Sequence, residues 1–320
     1  MKKILIAAVA GLITAIAGLA AYTKIALPNV GAAPDMTIER TPERVARGEY
    51  IANNVAVCMD CHSSRDWSYF AGPPVPGTLG KGGERFDQTF GFPGVYFSRN
   101  ITPAGIGQWT DGELFRLITT GVKKDGSPIF PVMPFPYYAR MDEEDIKSVI
   151  AYIRTLPSIE NQVPASKSDF PMNFIINTIP KKANLQKKPD PKDTVKYGEY
   201  VTNASACMEC HTPVKNGQVI PELAFSGGRE FPFPSGDIVR SKNITPDNET
   251  GIGNMSRDGF IKLFKQKREA TKKPADSGFN TMMPWSMYGG MTDADLGAIY
   301  DYLRTVKPVS NQVVTFQPHK

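Results

Sequence analysis

The chain has 320 residues, enough for two modest domains that each bury a core, and its 41% hydrophobic and 22% charged content is that of an ordinary folded protein. The net charge of +5 is thinly spread: residues 43–157 hold 12 basic and 13 acidic groups and residues 193–308 hold 14 of each, so the excess lies in the N-terminal segment, the stretch between those regions and Lys320. This excludes the concentrated basic face that nucleic-acid binding needs.

Lys2 and Lys3 precede an uncharged apolar run, Ile4 to Ala21. Its length suits a membrane span, and the basic start places the N-terminus in the cytoplasm and sends the rest across. We expect residues 1–24 to form a retained membrane anchor. The alternative is an export signal cut near Gly18, Ala20 and Ala21. Either way, the remainder of the chain is expected on the periplasmic side of a bacterial inner membrane.

The first predicted helix covers Pro42–Asn54, with Thr41 as cap and Pro at its first position. Directly after it comes Cys58-Met59-Asp60-Cys61-His62, and the pattern returns as Cys207-Met208-Glu209-Cys210-His211. Cys-x-x-Cys-His is the attachment motif of a c-type haem. Two thiols on one helical turn bond the two vinyl groups of one porphyrin, and the adjoining His ligates iron from the proximal side. The chain has four Cys and three His, and the two motifs use all but His319. A zinc half-site needs no His after each pair, a thioredoxin motif sits in a βαβ pattern that is absent here, and a disulfide framework does not suit so long and cysteine-poor a chain.

The motif belongs to a repeat of about 150 residues. Gly48-Glu49-Tyr50 returns as Gly198-Glu199-Tyr200, Asn100-Ile101-Thr102-Pro103 as Asn243-Ile244-Thr245-Pro246, Met133-Pro134 as Met283-Pro284, and Tyr138 as Tyr288. Thr194–Ala204 repeats the first helix. Each copy closes with a second helix: Ile146, Val149, Ile150, Ile153 and Leu296, Ile299, Tyr300, Leu303 follow helical spacing. Asp142 and Thr292 stand at their N-caps, and Pro157 and Pro308 lie beyond their ends. Gly48 and Gly198 permit close helix crossings, with Tyr152 and Tyr302 packed there. The organisation expected is 1–24 anchor or signal, 43–157 first domain, 158–192 linker, 193–308 second domain and 309–320 tail. The fold class expected is all-α, with few short helices and much loop around each haem.

For the sixth iron ligand no spare Cys remains, and His319 cannot serve both copies. Met133 and Met283 stand at matched positions on Pro-stiffened loops just before the closing helices, and a thioether is a soft haem ligand. Met282 is the rival in the second copy. His62 and Met133 are thus expected on one iron, His211 and Met283 on the other, with Cys58, Cys61, Cys207 and Cys210 as the covalent anchors. Asn100, Trp109 and Asn243 are candidates for contacts to the haem propionates. A turn role for the Asn-Ile-Thr-Pro segments explains the two Asn equally well. Met255 takes the place of Trp109 in the second copy.

In these segments the sequence resembles class I cytochromes c, and in particular the multihaem cytochrome c subunits of membrane-bound alcohol and gluconate dehydrogenases. The resemblance covers about residues 45–308. It departs at Met255 and Trp285, and in having two haem motifs where three are usual. It implies two tandem cytochrome c domains with two haem c groups, and single-electron transfer rather than enzymatic turnover. The partners implied are a dehydrogenase or quinol-oxidising complex as donor and an oxidase or soluble cytochrome as acceptor. The basic run Lys262, Lys265, Lys267, Arg268, Lys272 and Lys273 is a solvated helix face or a guide for an acidic partner. A dihaem peroxidase-like enzyme and a haem-based sensor are the alternatives, and each needs one iron with an open position.

Overall fold

The computed structural model describes residues 1–215, 217–275 and 279–319; Lys320, in the expected tail, lies outside them. Helix α1 (Lys2–Ile25) has a window of mean hydropathy 2.5 with none of it buried. It is long and apolar enough to cross a membrane, a test that a signal sequence near an N-terminus also passes. Its C-terminal end touches the rest of the chain, where Lys24 Nζ donates to the Asn173 carbonyl at 2.6 Å.

The Thr41 side chain accepts from Arg44 N–H, and Pro42 pre-sets the first turn of α2 (Pro42–Tyr50). The expected helix to Asn54 is present, but its end is a π-helical turn, Ile51–Val55. There follow α3 (Cys58–Cys61), α4 (Pro103–Ile106), α5 (Asp111–Thr120), α6 (Phe135–Tyr138) and α7 (Glu143–Ile153). Helix α5 has no counterpart among the expected elements, although Thr110 and Glu113 form a reciprocal capping box and Gly121, at φ +74°, ends it. Asp142 caps α7 through Glu144 N–H at 2.8 Å.

After the short α8 (Met172–Ile175) the same order returns: α9 (Thr194–Ala204), α10 (Cys207–His211), α11 (Arg257–Ala270), α12 (Trp285–Tyr288) and α13 (Asp293–Leu303). The first and last helices of each set cross in direct backbone contact. A Cβ on Gly48 would lie 1.8 Å from the Ser148 carbonyl oxygen, and one on Gly198 1.9 Å from that of Ala298. Tyr152 and Tyr302 pack at these crossings, as expected. One continuous apolar core runs through both sets, with Ile51, Met59, Ile146, Ile150, Leu296 and Leu303 almost wholly buried.

The all-α expectation needs correction, because the loops form small antiparallel sheets. Strands β1 (Arg85–Phe86), β2 (Gly94–Phe97) and β3 (Lys167–Ser168) make one, β4 (Val214–Lys215) and β5 (Gln218–Val219) a second, and β6 (Glu230–Pro232), β7 (Ile238–Arg240) and β8 (Phe316–Gln317) a third. Strands this short carry no alternation to read, and their ladders join residues far apart in sequence, Val95 with Lys167 and Val239 with Phe316. Strands β3 and β8 come from beyond residues 157 and 308, so linker and tail each complete a sheet of the unit before them.

Candidate functional site

Each Cys-x-x-Cys-His segment starts from a strained residue. Val57 (φ +46°) and Ala206 (φ +49°) are in the left-handed region just before the first Cys. This bend turns the chain out of the preceding helix and into the short helix that carries both thiols. All four Cys are free. Their sulfurs face a cavity and yet lie deep in protein, so they keep some accessible area while burial pushes the Cys58, Cys61 and Cys207 thiols up to about 12 and that of Cys210 to about 11. Among the described residues no three His, Cys, Asp or Glu side chains converge as an ion site, so the two Cys pairs do not combine as a zinc centre.

The two imidazoles are held alike. His62 Nδ1 is 2.6 Å from the Arg99 carbonyl oxygen and His211 Nδ1 is 2.7 Å from that of Lys242. A carbonyl only accepts, so Nδ1 carries the proton and Nε2 keeps its lone pair. Burial lowers both His pKa values, which keeps the rings neutral, the form that ligates a metal. These carbonyl partners are absent from the sequence reading. Their only signal is position: Arg99 and Lys242 directly precede the repeated Asn-Ile-Thr-Pro segments.

The Met-Pro loops share the cavity with the motifs. Met133 and Met283 are partly buried against the core and line the same cavity as the motifs, as does Met282. The loops share a bond at the Met: Phe135 N–H donates to the Met133 carbonyl and Trp285 N–H to that of Met283, each at 2.7 Å. Each loop is tied to the start of its motif by a buried phenol. Tyr138 Oη donates to the Ala56 carbonyl at 2.8 Å and Tyr288 Oη to that of Ser205 at 2.6 Å.

The cavity is a single continuous space of about 3050 Å³. It is lined by both motifs, both Met-Pro loops, Trp109, Met255 and many aromatic and aliphatic side chains. Such a space, with buried thiols, an imidazole whose Nε2 is free and methionines in its lining, fits a covalently held porphyrin. Asn100 Oδ1 accepts from Thr102 N–H and Oγ1, at 2.9 and 2.7 Å, and its Nδ2 donates to the Ile159 carbonyl at 2.8 Å. Asn243 does the same with Thr245 and the Val309 carbonyl. Both Asn are therefore engaged in holding the turn. Trp109 lies at the cavity wall with Lys124 Nζ 5.6 Å from its ring centre.

By fold and site the chain is of the c-type haem-protein class. Residues 195–307 match the family model for cytochrome c, and along most of its length the chain is similar to cytochrome subunits of dehydrogenases. It is 30% identical over 310 residues to the fructose dehydrogenase cytochrome subunit of Gluconobacter japonicus, covering 91% of this chain and 59% of that protein. It is 28% identical over 298 residues to the alcohol dehydrogenase (quinone) cytochrome c subunit of Gluconacetobacter polyoxogenes, covering 87% and 59%. A diheme cytochrome c-type protein of Cereibacter sphaeroides is 27% identical over 226 residues, covering 62% of this chain and 73% of its own. The chain thus spans 59% of the length of the first two relatives. A match to cytochrome c implies covalently attached haem c.

Proposed function

We propose that the chain is a dihaem cytochrome c made of two tandem domains. It passes single electrons from a dehydrogenase or quinol-oxidising complex to an oxidase or another cytochrome on the periplasmic side of the membrane. The observation that carries this reading is the doubling of the whole site: thiol pair, carbonyl-bound imidazole and tyrosine-tethered Met-Pro loop occur twice with matching bonds. Cys58 and Cys61 would hold one haem, with His62 and Met133 on its iron. Cys207 and Cys210 would hold the other, with His211 and Met283. The matched loop register favours Met283 over Met282. The group supplies a one-electron couple. The chain's own contribution is to hold each imidazole neutral and oriented, to keep water from the ring, and to limit movement of the ligands when charge changes.

Strands β3 and β8 favour units that run to residues 168 and 317 rather than 157 and 308. Helix α1 would anchor the chain. The peroxidase-like alternative draws no support from the relatives, which are named as cytochromes or cytochrome subunits. The test is haem stoichiometry by mass and pyridine haemochrome, together with the oxidised absorption spectrum. Two haems per chain and a Met–iron band in the far red are expected. Met133→Ala and Met283→Ala should each remove half of that band. A high-spin haem that binds peroxide in the unaltered protein would overturn the reading.

A further inference from the structure

The two units hold one backbone frame behind their motifs but place opposite charges on it. Gly82 N–H donates to the His62 carbonyl at 2.9 Å and Gly227 N–H to that of His211 at 2.8 Å. Gly83 N–H donates to the Ser98 carbonyl at 2.9 Å and Gly228 N–H to that of Ser241 at 2.8 Å. The next residue's N–H donates to the same serine's Oγ, at 3.0 Å in the first unit and 3.1 Å in the second. These three bonds make that residue structurally equivalent in the two units. It is Glu84 in one and Arg229 in the other.

The surroundings sharpen the contrast. Arg65, almost wholly buried, donates from Nη1 to Asp60 Oδ2 at 2.6 Å, and its Nε lies 3.4 Å from Glu84 Oε1. Two carboxylates share this one cation. In the second unit the position of Arg65 is taken by Val214, and Arg229 itself pairs with Glu209 at 2.5 Å. Counting each group in its charged form, the local sum is −1 behind the first motif and 0 behind the second. Arg99 and Lys242 stand at equivalent places and are both cationic, so they do not separate the sites. Removing an electron raises the charge at an iron by one. A nearby carboxylate favours that oxidised state and a guanidinium disfavours it, most of all where water is excluded.

Taking the dihaem reading as its basis, we propose that Glu84 and Arg229 set the two haem potentials apart, the Cys58–His62 site being the lower. An electron entering the chain then moves from the first site, which is oxidised, to the second, which is reduced. No proton or other reactant is required.

The test uses the full haem-loaded chain. Mass and pyridine haemochrome first establish the haem count; one haem per chain would remove the underlying reading before any potential is measured. A spectroelectrochemical titration should then resolve two one-electron waves. Glu84→Gln should raise only the lower wave and Arg229→Gln should lower only the upper one. Each shift should be of order tenfold in the redox equilibrium, or about 59 mV. Arg65 keeps Asp60, and Glu209 keeps Tyr137, whose Oη donates to it at 3.1 Å, so in both variants the charge left behind retains a partner. Arg85→Gln, a mostly exposed neighbour paired with Asp87, should move neither wave. If Glu84→Gln moves the upper wave, or leaves both unmoved, the proposal is wrong.

Discussion

Tyr200 Oη donates to Asp145 Oδ2 at 2.7 Å, joining the first helix of one unit to the last helix of the other. The relationship is reciprocal. Tyr50, the repeat equivalent of Tyr200, donates to Asp295, the equivalent of Asp145. Each phenol also accepts from the backbone N–H at its partner helix's cap, Asp142 for Tyr200 at 3.1 Å and Thr292 for Tyr50 at 3.0 Å. The units therefore meet about an approximate two-fold axis, as in an isologous dimer, although one chain supplies both halves. The flanking residues differ: Arg47 binds Asp145 through two nitrogens, while its equivalent Tyr197 donates to Asp295 at 2.9 Å.

Removing either phenol leaves a carboxylate with one partner fewer. Hydrogen bonds to charged groups are worth about 1.5–3 kcal/mol, so Tyr200→Phe and Tyr50→Phe should each destabilise the haem-loaded protein by about that much in denaturant titration. The double variant should lose cooperativity between the units. Two separated transitions, followed by each haem's absorbance, are the expected outcome.

The same junction makes stability depend on pH. Burial raises the Asp145 carboxyl, but the hydrogen bond and charge of Arg47, aided by Tyr200 and Lys188, outweigh it and hold the pKa below the ordinary value. A depressed carboxyl adds stability that is present above its unfolded pKa of about 3.9 and lost as pH falls through the folded value. Asp145→Asn should therefore lower Tm at neutral pH, and the gap should close in acid. Tyr50 behaves oppositely. Burial and Asp295 raise it to about 12, so its contribution is complete below about 10 and is lost as pH rises through about 12. Alkaline destabilisation of the unaltered protein should begin in that window, and Tyr50→Phe should lose the part of it that Tyr50 carries.

The features readable in the sequence are those set by neighbours along the chain. The Cys-x-x-Cys-His segments, the apolar spacing of α7 and α13, their caps at Asp142 and Thr292, and the crossing glycines all lie within a turn or two of their signal. The Tyr50–Asp295 bond joins residues 245 apart in sequence, and strand β8 pairs with the distant β7, Phe316 with Val239. Spacing says nothing about such contacts. The Glu84–Arg229 exchange is present in the repeat as letters, but its equivalence needs the backbone bonds to the serines. Helix α5 is hidden for a different reason: its Thr-Asp-Gly-Glu opening has the look of a turn, because Gly112 weakens the helical pattern. That glycine is required, as a Cβ there would lie 1.7 Å from the Pro34 carbonyl oxygen.

The left-handed residues before each motif offer a separate check. A non-glycine residue in that region costs about 1–2 kcal/mol, more at β-branched Val57 than at Ala206, whereas glycine gives back roughly 0.5–1 kcal/mol in unfolded-chain entropy. Val57→Gly should thus be neutral to stabilising despite losing a partly buried side chain, and Ala206→Gly close to neutral. Chemical denaturation of the two variants under identical haem loading measures both.

The helix crossings give the sharpest mutational contrast. Alanine is the better helix former by about 0.8–1.0 kcal/mol, so at an open position Gly→Ala would stabilise. At Gly48 and Gly198 the added methyl would meet carbonyl oxygens at 1.8 and 1.9 Å, with the Cβ atoms of Tyr152 and Tyr302 close behind at 2.9 and 3.0 Å. Backbone cannot rotate aside as a side chain can, so the helices must separate, and overpacking of this kind costs typically about 1–3 kcal/mol. Gly48→Ala should lower Tm and shift the ring of the first unit relative to its Met-Pro loop, weakening the far-red Met–iron band there. Gly11→Ala, with nothing within 4 Å, should leave both unchanged. Equal stability of Gly48→Ala and the unaltered protein would mean that α2 and α7 do not pack at this distance.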